Sequence, residues 1–213
     1  MKKFSAVICV IFLSFVFANA VFAQLNSNAY FLIDNNLTTV GYQGLSDVKD
    51  IGATARVGFA LYAKQWENSK GLTLTFEWDS TKAEFRASNS MTSIVDDEMT
   101  VNGATFTPPK EDNILAGALI SSGVKDEAGY YTISYAKQGG DASKAAEGLI
   151  YFAVFRTAAN FAKTSTLSIK ASVTVADENG STRFLGTRYF HVNQSVDVKS
   201  ATWKEVKEQF KDF

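Results

Sequence analysis

The chain has 213 residues, 46% of them hydrophobic, with 21 basic against 22 acidic residues and a net charge of −1. A near-neutral chain with no basic run argues against nucleic acid or an anionic membrane as the main partner. One cysteine (Cys9) and one histidine (His191) leave no material for disulfides, a cysteine-rich metal centre or a paired-histidine site.

Residues 1–23 have the layout of a secretory signal peptide. Lys2 and Lys3 open it, residues 7–17 are apolar apart from Ser14, and small residues follow at Ala18, Ala20 and Ala23. Cleavage is expected after Ala20 or Ala23. The apolar run is too short to span a bilayer, which takes about 20 residues, so no membrane span is expected after cleavage. Removal takes Cys9, Lys2 and Lys3 with it and leaves a net charge of −3. The mature protein is therefore expected to be secreted: extracellular, at the cell surface or periplasmic.

Period-2 alternation dominates residues 24–193. Ala55, Val57, Phe59, Leu61 and Ala63 alternate with Thr54, Arg56, Gly58, Ala60 and Tyr62. Next, Leu72, Leu74, Phe76 and Trp78 alternate with Thr73, Thr75 and Glu77. Further along, Leu167, Ile169, Ala171, Val173 and Val175 alternate with Thr166, Ser168, Lys170, Ser172 and Thr174. In each case the pleat sends one set inward and the other outward. Residues 149–155 are apolar on both faces, as in a central strand covered on each side. Weaker strand signals cover residues 30–33, 37–42, 84–87, 91–95, 114–121, 130–136 and 182–192. Asn102-Gly103 and Asn179-Gly180 each read as a two-residue hairpin turn, because both turn positions need φ > 0. Pro108-Pro109 marks a loop, and residues 138–148 form the longest polar one.

Helix is expected only in the tail, residues 194–213. Thr202 and Glu205 form a capping-box pattern, followed by Trp203, Val206 and Phe210 on one face. The pattern as a whole, about ten short strands with turns at near-regular spacing, predicts an all-β fold: a single sandwich of two antiparallel sheets with a short C-terminal helix.

The stretch Gly71-Leu-Thr-Leu-Thr-Phe-Glu-Trp-Asp79, then Ser80-Thr-Lys-Ala-Glu-Phe85, resembles the third-strand signature of cohesin domains. Trp78-Asp79 stands where that family usually has Tyr-Asp, and Ser80 where it usually has proline. Residues 52–62 resemble the family's second strand, residues 148–155 its central strand, and residues 167–177 its penultimate one. The resemblance runs from about Ala29 to Asn193 and implies a stand-alone secreted member of the cohesin and carbohydrate-binding-module superfamily, folded as a single jelly-roll-like antiparallel β-sandwich of about nine strands.

That resemblance implies a non-enzymatic binding or scaffold module. A protein partner, dockerin-like or an envelope or extracellular component, would meet an exposed sheet face through Thr73, Thr75 and Glu77. Thr73 stands where cohesins often carry a polar or acidic recognition residue, and threonine is the weaker hydrogen-bonding group. The alternative is a polysaccharide-binding module stacking sugar rings on exposed aromatics, with Tyr62, Trp66 and Tyr130 as candidates; Tyr131, Tyr135 and Trp78 read as interior. A glycoside hydrolase is the remote third reading, since paired carboxylates need only two acids several ångströms apart. Yet Asp96-Asp97-Glu98, Asp126-Glu127 and Asp177-Glu178 read as turn acids. No catalytic residue, metal ligand set or cofactor motif is assigned.

Overall fold

The structure, a computed structural model, describes residue 26 and residues 28–194 apart from 116–118 and 144. The expected leader and the expected tail helix lie outside the described residues. In chain order the strands are β1 (Tyr30–Asp34), β2 (Asp47–Val48), β3 (Arg56–Lys64), β4 (Ser69–Glu77), β5 (Ala83–Phe85) and β6 (Met99–Val101). The remainder are β7 (Ala104–Phe106), β8 (Leu119–Glu127), β9 (Tyr130–Lys137), β10 (Gly148–Thr157), β11 (Leu167–Asp177) and β12 (Thr182–Val192).

Two sheets face each other. The smaller runs β1-β3-β10-β5 and the larger β2-β12-β11-β4-β9-β8, with β6-β7 a separate hairpin. Pairing is antiparallel throughout except where β2 lies parallel to β12. Without β2 and the β6-β7 hairpin, nine strands make the sandwich, the number the resemblance implies.

The alternating sets meet between the sheets. On β11 every second residue from Leu167 to Val175 is buried. Phe59 of β3 reaches across to Phe190 of β12 at 4.7 Å between ring centroids, and Phe85 meets Tyr131 at 4.2 Å. Phe76 stands edge-on to Phe155 at 6.0 Å. These offset and T-shaped contacts suit the ring quadrupoles. Trp78 packs at the margin of this core, its indole N–H donating to the Ala83 carbonyl at 2.8 Å. Tyr131 is buried and Tyr135 partly so, as expected.

A second apolar layer covers the other side of the smaller sheet. Leu37, Ile94 and Val101, from the segments before β2 and between β5 and β8, pack on Ala60, Tyr62, Leu149, Phe152 and Val154. This explains why residues 149–155 are apolar on both faces. It also corrects the outward reading of Tyr62, which is 2% exposed.

Two expected strands are absent, for one reason. Residues 37–42 and 91–95 lie across the sheet face rather than in a ladder: Leu37, Met91 and Ile94 pack onto it, whereas Val40, Tyr42 and Val95 are exposed. The buried Asp34 carboxylate accepts the N–H groups of Asn36, Gln43, Gly44 and Leu45, which curls the first segment. The second makes only isolated bridges, Met91 to Phe152 and Ile94 to Glu111. The strand expected over 114–121 is displaced to β8, which runs on to Glu127.

The hairpins divide as well. Asn102 (φ 54°) and Gly103 (φ 78°) form the expected two-residue turn. Between β11 and β12 the loop has three residues instead of two. The Gly180 N–H donates to the Asp177 carbonyl at 3.2 Å, and the Asp177 N–H to that of Ser181 at 3.0 Å. The Asp177 side chain accepts the N–H groups of Asn179 and Ser181, which leaves only Gly180 left-handed at φ 79°.

Candidate functional site

The outer face of the six-stranded sheet is built by the polar half of the alternation. Cross-strand register arranges it in rows. Tyr189, Lys170, Glu77, Tyr130 and Glu127 form the first, followed by Thr187, Ser172, Thr75, Thr132 and Lys125. In the third, Phe184, Thr174, Thr73 and Ser134 stand side by side. Thr73, Thr75 and Glu77 thus lie together on this face, and Tyr130 lies opposite Glu77.

Hydroxyls fill the middle and bond to each other. Thr73 Oγ1 is 2.7 Å from Ser134 Oγ, Thr75 Oγ1 is 3.0 Å from Thr132 Oγ1, and Ser172 Oγ is 3.3 Å from Thr187 Oγ1. Thr132 also donates to the Leu74 carbonyl at 2.8 Å. Short β-branched or small side chains held this way have little rotamer freedom left to lose, which favours a flat, pre-organised surface.

Charge and aromatic surface concentrate at one end. Lys170 Nζ donates to Glu77 Oε1 at 2.6 Å, and this hydrogen bond holds the ammonium above its ordinary value despite some desolvation. Tyr189 is half exposed and stacks on His191, the ring planes 10° apart. The Lys125 ammonium sits 5.1 Å from the Tyr130 ring centroid. At the opposite end Phe184 is 60% exposed. With strands about 4.8 Å apart, five of them span about 20 Å, and nine residues of β4 run about 30 Å. The resulting area, about 600 Å², approaches the roughly 800 Å² per partner of a standard interface.

Two of the three aromatic candidates are elsewhere. Trp66 is 1% exposed in the main core, its indole N–H donating to the Tyr30 carbonyl at 3.2 Å. Tyr62 lies in the second apolar layer with its hydroxyl on Glu111 Oε2 at 2.9 Å. A planar sugar-stacking row of Tyr62, Trp66 and Tyr130 is therefore not made. A position facing outward from a sheet is solvent-exposed only when nothing covers that sheet, and period 2 carries no information on the cover.

Sequence reasoning did not single out Lys170, Tyr189 and Phe184 as site residues. Lys170 was legible as an outward position of β11. Tyr189 and Phe184 were hidden by a bulge opposite Val173, where Leu185 and Gly186 (φ 95°) interrupt the alternation of β12.

No metal-binding group of three or more acidic, histidine or cysteine side chains occurs among the described residues, and none of their helices is long and apolar enough to cross a membrane. His191 shares a hydrogen bond with Ser168 Oγ through Nδ1 at 2.9 Å.

Solved structures similar to this chain include CaCohA2 from Clostridium acetobutylicum, at 10% identity and a TM-score of 0.51, covering 77% of this chain and 88% of that one. The sixth cohesin of scaffoldin B from Acetivibrio cellulolyticus, solved with a Cel5 dockerin, is 12% identical over 78% of this chain and 97% of its own, with a TM-score of 0.49. A non-cellulosomal cohesin from the archaeon Archaeoglobus fulgidus is 7% identical over 87% of this chain and 99% of its own, with a TM-score of 0.43. No protein-family model matches the sequence, and no curated protein matches it significantly. The fold is cohesin-like, and at these identities the likeness concerns the fold alone.

Proposed function

We propose that this protein is a secreted, non-enzymatic binding module that docks a protein partner on the outer face of its six-stranded sheet. The observation that carries the reading is an asymmetry between the two sheets. The smaller one is covered on its outer side by a second apolar layer, whereas the larger keeps Thr73, Thr75, Glu77 and their neighbours uncovered by any described segment. Its partner, dockerin-like or an extracellular or envelope component, would rest on the hydroxyl rows. It would be anchored at the margin by the Tyr189, Lys170, Glu77 and Tyr130 row, where rings and a formed ion pair offer contact area at little entropic cost.

Site-specific photo-crosslinking tests this reading in the organism that makes the protein. A crosslinker at Thr75 should capture one companion of discrete size, while one at Thr100, exposed on β6, should capture none. Equal yields of the same adducts from both positions, or no adduct from Thr75, would remove the assignment. Where Thr75 alone captures the companion, a Lys170→Glu substitution, which sets two like charges side by side against Glu77, should also reduce the adduct severalfold.

A further inference from the structure

We propose a second site on the opposite side of the molecule, at one end of the smaller sheet's outer face, where Arg56 and Arg156 together take a compact oxyanion. The two residues are direct partners in the β3–β10 register. Both point outward, since Val57, Phe155 and Thr157 beside them are buried. Like charges placed directly opposite each other oppose pairing, and an acidic neighbour normally relieves this.

Here the acidic neighbour is already engaged. Glu84 of β5 is next in the row, opposite Arg156, but its Oε1 accepts from Arg86 Nη1 at 2.9 Å. Among the described residues, no carboxylate lies within ion-pair distance of Arg56 or Arg156. Among the described residues, neither Arg56 nor Arg156 makes a side-chain hydrogen bond or ion pair, so both keep their forked donors free. Such donors match the paired oxygens of a carboxylate or sulfate.

The surroundings select for a small ligand. Arg56 borders a cleft of about 300 Å³ floored by Met91, Phe152 and Val154, with Asp97 and Glu98 on its rim. Arg156 borders one of about 360 Å³ that Thr54 and Ser80 also line. Thr54 holds φ 55°, an outlier for a β-branched residue, so the backbone beside Arg156 is strained. Asp97 and Glu98 line the Arg56 cleft and Glu84 the Arg156 cleft, and their negative charge disfavours a long polyanion more than a single small one.

Side-chain NMR of the arginines, titrated with sodium sulfate and separately with sodium acetate at constant ionic strength, tests the site. Saturable shifts are expected at the Nε–H groups of Arg56 and Arg156 and not at Arg183, with apparent affinity falling about tenfold in Arg156→Gln. Saturation with either anion supports the site, and the stronger one identifies planar or tetrahedral chemistry. Shifts that rise linearly, or equally at all arginines, would overturn it. So would poly-glutamate binding far more tightly than acetate. Without added anion, Arg156→Gln should melt no lower than the wild type at low salt, because it relieves the repulsion; a lower melting point would show that Arg156 is held by a partner and is not free.

Discussion

Asn102 holds Gly58 by both of its main-chain groups, from 44 residues away. Its Oδ1 accepts the Gly58 N–H at 2.9 Å and its Nδ2 donates to the Gly58 carbonyl at 2.8 Å. Two more asparagines use the amide similarly. Asn193 accepts from the Ile51 N–H at 2.9 Å and donates to the Ile51 and Ser165 carbonyls at 2.7 and 3.1 Å. Asn113 accepts from the Leu115 N–H at 2.8 Å while donating to the Thr92 and Ile150 carbonyls. In each case a side-chain amide both accepts from and donates to main-chain groups, tying together segments far apart in sequence. Asn102→Ala would strand two groups of the buried Gly58, so a loss of about 2 kcal/mol is expected, read as a lower urea midpoint. An unchanged midpoint would mean that water replaces the amide. Asn102 was legible as a turn residue because turn chemistry is local. Its second role was not, because the partner is fixed by how the hairpin lies on β3.

At the scale of elements, turn chemistry and alternation succeeded where backbone partners were close in sequence. The β6–β7 turn formed as read, while the β11–β12 turn gained one residue because Asp177 captured two N–H groups of the loop. That leaves a single left-handed position, and Gly180→Ala should destabilise the fold by about 1 kcal/mol. Asn179→Ala should cost less, since Asn179 is not left-handed in this turn. Thermal melts of the two variants decide between a three-residue and a two-residue loop, because the latter would make Asn179 the more costly position to change. Alternation failed over residues 37–42 and 91–95, where only Leu37, Met91 and Ile94 pack, and they pack onto a sheet without belonging to one. Length and composition do not separate those cases, since a short apolar run fits either.

At the scale of the molecule, the smaller sheet is the middle of three layers, and tyrosines in both apolar layers link its stability to alkaline pH. Burial, then the neighbouring Glu111 carboxylate, pushes the Tyr62 phenol far above its ordinary value of 10.0. Burial, then Tyr135 and Tyr131, does the same for Tyr151. The unfolded chain releases these protons near pH 10 while the folded chain retains them, so the folded state binds more protons there and stability falls as pH rises above that value. Below it the contribution is complete. Urea midpoints should therefore drop between about pH 9 and pH 11, with tyrosinate absorbance from two phenols appearing only on unfolding. Full tyrosine titration in the folded protein, with a flat midpoint, would contradict burial of these rings.

The sequence by itself determined the all-β class, the inner faces of the long strands, and the position of Thr73, Thr75 and Glu77 on one outer face. These follow from a two-residue period and from turn residues, both of which act between near neighbours. Only the tertiary structure decided which outer face is covered by described segments. Segments before β2 and between β5 and β8 fold over the smaller sheet and bury Tyr62, Trp66 closes the end of the main core, and Arg56 is set opposite Arg156. Each depends on contacts between residues tens to a hundred positions apart. The pleat fixes the side of a sheet to which a residue points, but what lies against that side is set by the packing of distant segments.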